Sequence, residues 1–109
     1  MIVGSSERTP DDGKGWFVGP WNSPVPIAVG WADRGVDHPH RHDHMCEIYL
    51  VARGESTAVV AGRRIELAAG AMLVVEPGEP HTFVNSSDDY LHFVVQAPFV
   101  AGDKVDLVE

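Results

Sequence analysis

Short apolar runs alternate with polar turns along most of the chain. From residue 54 onward glycines separate the runs, at positions 54, 62, 70 and 78, each eight residues after the last. This spacing is typical of antiparallel sheets, because glycine tolerates the positive φ angles of tight turns. The pattern predicts six strands: Glu47 to Ala52, Glu55 to Val60, Arg63 to Leu67, Met72 to Val75, His81 to Val84 and Tyr90 to Gln96.

No window shows apolar residues at helical spacing, so the sequence predicts an all-β sandwich or barrel. Residues 1–15 are polar and without periodicity, and we expect them to form a loose N-terminal arm. Between Trp16 and Trp31, prolines at 20, 24 and 26 break the chain into short extended pieces. The length of 109 residues fits one domain over residues 1–109, with its core at about residues 25–100.

Composition narrows the classes of partner. Sixteen acidic and eight basic side chains give a net charge of -8, which would repel the phosphates of nucleic acid over most of the surface. No apolar run approaches the roughly 20 residues that cross a bilayer. With one cysteine and no secretion signal at the N-terminus, we expect a cytoplasmic protein. We therefore look for a small-molecule partner.

A row of histidines is the strongest chemical signal. His38, His40, His42 and His44 occupy every second position, so an extended strand would present their side chains on one face. Neutral imidazole binds several transition metals, and two histidines one residue apart can reach the same ion. The row alone does not decide which of its His-x-His pairs would bind.

Two further residues are candidates for the same site. Glu47 has the wrong parity to share the face of His42 on one continuous strand, so it can join the site only if the chain turns between Asp43 and Cys46. His81 follows the turn sequence Pro77-Gly78-Glu79-Pro80 and opens a later strand. A barrel would bring such distant strands together.

The spacing of these residues resembles the two cupin motifs. His40-Arg-His42, four residues, Glu47, six residues and Gly54 are similar to the first motif, G-x5-H-x-H-x3,4-E-x6-G. Gly70, Pro77-Gly78, His81 and Asn85 are similar to the second, G-x5-P-x-G-x2-H-x3-N. Two turn positions depart from the pattern: Gly35 lies one residue too close to His40, and Glu76 stands where proline is usual.

The resemblance implies an antiparallel double-sheet jelly-roll barrel. It also implies a metal site of His40, His42, Glu47 and His81 and a homodimer. The cofactor would be one divalent transition metal, Fe, Mn, Ni, Cu or Zn. His38 and His44 would then orient ligands or lie exposed near the pocket, and we expect them to be exposed.

Two more residues are candidate catalytic groups. Tyr49 shares the predicted face of Glu47 and could point its hydroxyl toward a substrate, although a barrel tyrosine more often only packs. His92 lies in the middle of a strand and is the first candidate for a proton shuttle, although a packing histidine is commoner there.

The expected function is that of a metal-dependent enzyme on a small oxygen-rich molecule, with dioxygenase-like chemistry preferred because this ligand set suits Fe(II). Isomerase, decarboxylase or lyase activity on the same fold stays open, as does a non-catalytic module that binds a metal or small ligand.

Overall fold

The computed structural model describes residues 1–4, 13–34 and 38–107, so Gly35 and most of the expected N-terminal arm lie outside the described residues. The described part consists of strands and turns, and it contains no helix that could span a membrane. The ten strands are β1 (Lys14–Val18), β2 (Ala28–Ala32), β3 (His40–His42), β4 (Cys46–Arg53), β5 (Glu55–Val60), β6 (Arg63–Ala68), β7 (Met72–Val75), β8 (His81–Ser86), β9 (Leu91–Ala97) and β10 (Lys104–Asp106).

The strands form two antiparallel sheets of five, in the orders β1-β2-β9-β4-β7 and β10-β3-β8-β5-β6. This arrangement confirms the predicted double-sheet jelly-roll class. All six predicted strands are present, two of them, β5 and β7, with the predicted ends. The four glycines at eight-residue spacing all have positive φ, as their place in tight turns requires.

Apolar side chains from both sheets meet between the layers. β4 contributes Tyr49 and Val51, and β5 and β8 of the opposite sheet contribute Ala58, Val60 and Phe83. The rings of Tyr49 and Phe83 pack edge to face across the gap, with centroids 5.0 Å apart. At one end of the gap the apolar core gives way to buried histidines and a carboxylate.

Candidate metal centre

Three strands bring the four predicted ligands together. His40 and His42 lie at the two ends of the short strand β3, where alternate side chains point to the same side. His81 opens β8 and is the residue paired with His40 in the neighbouring strand. Glu47 reaches them from β4 of the opposite sheet. All four side chains are buried, and each offers a ligand atom within 4.8 Å of the others.

The change of parity between His42 and Glu47 comes from a turn, as the sequence predicts. β3 ends at His42 and β4 begins at Cys46, and the intervening residues bend. Asp103 holds this bend: its carboxylate accepts hydrogen bonds from the backbone N–H groups of His44 and Met45, at 3.0 and 2.9 Å. Its other oxygen lies 2.7 Å from Nδ1 of the exposed His44 ring. Glu47, Tyr49 and alternate residues of β4 therefore face the interior.

The centre of the group is one oxygen of Glu47. Its Oε1 lies 2.8 Å from Nε2 of His81, 2.9 Å from Nε2 of His42 and 3.9 Å from Nε2 of His40. Carboxylate oxygens and imidazole nitrogens both bind divalent transition metals, and here one buried carboxylate lies among three ring nitrogens.

The hydrogen bonds of the rings test whether this group fits a metal ion. Nδ1 of His40 lies 2.8 Å from the carbonyl oxygen of His38, and Nδ1 of His81 lies 3.0 Å from that of Glu79. A carbonyl only accepts, so both rings donate through Nδ1–H and, when neutral, turn the Nε2 lone pair toward Glu47. Lone pairs and a carboxylate repel one another unless a cation, either a proton on a ring or a metal ion, lies among them. The four residues could therefore hold a metal ion.

The carboxylate of Glu47 has further partners. Tyr49 donates its hydroxyl to Oε1 at 3.0 Å, and Gln96 donates its amide to Oε2 at 3.1 Å. Burial alone would raise the pKa of Glu47, but the contacts with His42, His81 and Gln96 outweigh it and hold the pKa well below its usual range. Glu47 is therefore an anion, as a metal ligand must be.

The group lies in the wall of a cavity of about 370 Å³, within the range of small-molecule sites. Three of the four candidate ligands, His40, His42 and Glu47, line the cavity. The cavity also contacts both predicted catalytic residues, Tyr49 and His92. A small molecule that enters it would lie beside the metal group.

His92 is part of a buried pair. Its Nδ1 lies 2.7 Å from the hydroxyl of Tyr90, which is 1% exposed. Burial raises the pKa of Tyr90 to about 12 and lowers the pKa of His92 to about 4, so near neutral pH the tyrosine keeps its proton and the imidazole is neutral. With Tyr90 as the donor to Nδ1, the ring carries its own proton on Nε2.

The remaining histidines of the row, His38 and His44, are exposed, as predicted. β3 is shorter than the row, and the backbone has already turned at His44. Gln96, Tyr90 and Asp103 were not predicted from the sequence. Gln96 and Asp103 contact partners on other elements, which the spacing of residues along the chain does not reveal. Tyr90 lies two residues before His92, so alternation along a strand could have placed the two side chains on one face.

The structure resembles several solved barrels. A Streptomyces PAC13 variant with uridine covers 99% of this chain and 92% of its own at 18% identity, with a TM-score of 0.77. A second Pac13 structure is described as that of a nucleoside dehydratase. It covers 98% of this chain and 91% of its own at 18% identity, with a TM-score of 0.76. KdgF from Halomonas sp. covers 86% of each chain at 20% identity, with a TM-score of 0.68.

A Klebsiella pneumoniae protein with a double-stranded β-helix domain is 26% identical, covers 76% of this chain and 74% of its own, and has a TM-score of 0.62. No curated protein matches the chain. The model of the cupin domain matches residues 29–96, which contain the paired histidines, Glu47 and His81. With that match over more than half of its length, on this fold, the chain belongs to the cupin family.

Proposed function

We propose that the protein is an enzyme that holds one divalent transition metal through His40, His42, Glu47 and His81 and acts on a small oxygen-rich molecule. One observation carries the proposal: this buried group, already arranged for a cation, forms part of the wall of a cavity large enough for a substrate. A site that only stored a metal would have no need of the cavity.

A metal bound here supplies a Lewis acid that polarises an oxygen of the substrate, and Fe or Cu would in addition activate dioxygen. The protein supplies the rest. Tyr49 and Gln96 hold the carboxylate of Glu47 in position through hydrogen bonds to its two oxygens. Tyr49 thereby acts as a positioning residue, and a direct contact between its hydroxyl and the substrate remains a prediction. Aromatic side chains, among them Trp31 and Phe83, line the cavity beside this group.

Dioxygenase-like oxygenation is the first candidate reaction, because three imidazoles and one carboxylate would suit Fe(II), and Fe(II) would supply the activation of dioxygen. Elimination of water, a lyase reaction, is the second. It is favoured by the His92–Tyr90 pair, which places a neutral ring in the cavity wall. An Nε2–H group there would donate a hydrogen bond to an oxygen that gains negative charge. A solved structure similar over almost the whole chain is that of a nucleoside dehydratase.

The test is an activity screen of the purified protein, stripped with a chelator and reloaded separately with Fe(II), Mn(II), Ni(II), Cu(II) or Zn(II). Small hydroxy acids, phenols, sugars and nucleosides are offered with and without oxygen. Oxygen uptake with Fe(II) would establish the first reaction, and anaerobic loss of water with a redox-inert metal such as Zn(II) the second. Turnover that survives chelation and the substitution His81→Ala would contradict metal dependence.

A further inference from the structure

We propose that the cavity selects small organic anions, molecules with a carboxylate or phosphate group on a flat body that carries at least one further oxygen. This inference rests on the proposed function, since it names the class of substrate for the same site. It starts from the side chains, other than the four candidate ligands, that line the cavity. They include three cations, Lys14, Arg34 and Lys104.

The three cations come from both sheets. Lys14 begins β1 and Lys104 begins β10, and each of these strands lies at one edge of its sheet. Arg34 follows β2, and its side chain packs against Gly13, where an added Cβ would lie 2.7 Å from the guanidinium Nε. The Arg34 side chain therefore lies beside the start of β1, next to Lys14. A ligand that passes between the sheets would meet positive charge on either side.

This local charge is opposite to that of the molecule. The chain has a net charge of -8 and only eight lysines and arginines, of which three line this one cavity. Among the described residues Glu47 is the acidic side chain that lines it, and its charge is directed to the histidines. Asp33 and Asp106 lie 3.7 and 3.8 Å from Arg34 and Lys104, but neither lines the cavity. The charges that line the cavity therefore favour an anion, although the net charge of the whole chain does not.

The walls define the rest of the ligand. Trp16 and Trp31 line the cavity from β1 and β2, and Phe83 and Val94 line it from β8 and β9. Flat rings on both sheets fit a planar body, the metal group fits an oxygen of the ligand, and the cations fit its anionic group. Carboxylates and phosphates share this chemistry, and the experiment separates them.

The experiment uses matched probes that differ in charge. Calorimetry on the full chain compares 4-hydroxybenzoate with 4-hydroxybenzamide for a carboxylate, and uridine monophosphate with uridine for a phosphate. The double variant Lys14→Gln/Lys104→Gln removes two of the charges that line the cavity. Its control, Arg63→Gln/Arg64→Gln, removes two exposed charges from β6, which does not line the cavity. Each protein is measured with bound metal and after chelation.

We expect at least one acid to bind about tenfold more tightly than its neutral partner. The Lys14→Gln/Lys104→Gln variant should lose most of that preference, whereas the Arg63→Gln/Arg64→Gln control should keep it within about a factor of two. The preference should also weaken with added salt. The acid that shows it identifies the anionic group.

Equal binding of acid and neutral partner, or equal losses in the two double variants, would overturn the proposal. So would a failure of both acids to bind at about 10 mM, which is weaker than a selective site allows. The measurements on chelated protein test the anion site separately from the metal site. A charge preference that persists without metal supports the anion site even if the metal proposal fails, and a preference seen only with metal assigns it to the ion and overturns the role of the lysines.

Discussion

Glu47 carries its charge at a position that is 4% exposed, and the surrounding side chains compensate for the loss of water. Three of the partners, His40, His42 and His81, are visible in the sequence because the spacing of the cupin motifs is visible there. Tyr49 could be placed on the right face from alternation along the strand, but its bond to Glu47 could not be foreseen. Gln96 gave no signal, since its contact depends on the pairing of β9 with β4.

The Tyr49 hydroxyl allows a test of the support of Glu47. Tyr49→Phe removes the hydrogen bond to Oε1, which orients the carboxylate, and should weaken metal affinity about tenfold. Competition with a chelating dye measures the affinity. Tyr90→Phe is the matched control, because it removes another buried hydroxyl of the barrel whose bond is to His92. Equal affinities in the two variants would show that the Tyr49 bond does not tune the site.

His92 should make stability depend on pH. Burial lowers the pKa of His92 from 6.5 to about 4. Between these two pH values the imidazole is protonated in the unfolded chain and neutral in the folded one. Its contribution is complete above pH 6.5 and is lost as the pH falls toward 4. At about 1.4 kcal/mol per pKa unit this loss reaches about 3 kcal/mol. Urea unfolding at several pH values should show a smaller loss for His92→Gln, and parallel curves for the two proteins would contradict the assignment.

At the scale of elements, the regular central strands were predictable and the short edge strands were not. β5 and β7 have the predicted ends, because turn glycines at 54, 62, 70 and 78 lie just outside them. β10 contains three residues without an apolar pattern and exists because β3 pairs with it. β3 is itself shorter than the histidine row predicts, since the chain must turn at His44 for Glu47 to face inward.

The turn between β3 and β4 should depend on Asp103. Asp103→Ala removes the carboxylate that accepts hydrogen bonds from the backbone N–H groups of His44 and Met45. The N–H group of Met45 is buried, so the loss of this acceptor costs stability. We expect a lower denaturation midpoint and weaker metal binding, because the turn sets the position of Glu47. Asp106→Ala is the control, since that side chain is 75% exposed. If the Asp103→Ala protein has the same denaturation midpoint and metal affinity as the Asp106→Ala protein, Asp103 does not hold the turn.

For the molecule as a whole, the sequence predicted two packed antiparallel sheets but could not assign each strand to its sheet. Hairpin spacing fixes which strands are neighbours along the chain. It does not show that β9 lies between β2 and β4, a contact between residues far apart in sequence. The family motifs predicted the site more fully than the periodicity predicted the topology. The motifs name the four residues that this fold brings together, whereas the periodicity shows only where strands and turns lie.

The barrel should not need its metal to fold. Its core joins apolar side chains from both sheets, and burial of this kind supplies most of the stability of a domain. Chelated protein should therefore keep the circular dichroism of a β-sheet protein. Restored metal should raise its stability by about 4 kcal/mol when the free ion exceeds Kd about 1,000-fold. An unfolded spectrum after chelation would contradict this account.

The metal content of the purified protein tests the central claim most directly. Elemental analysis should find close to one transition-metal ion per chain, and His40→Ala/His42→Ala should abolish it. His38→Ala, which changes an exposed histidine of the same row, should leave the content unchanged. Full occupancy in the double variant, or no metal in the unaltered protein after incubation with each candidate ion and removal of the excess, would contradict the assignment of His40, His42, Glu47 and His81 as a metal site.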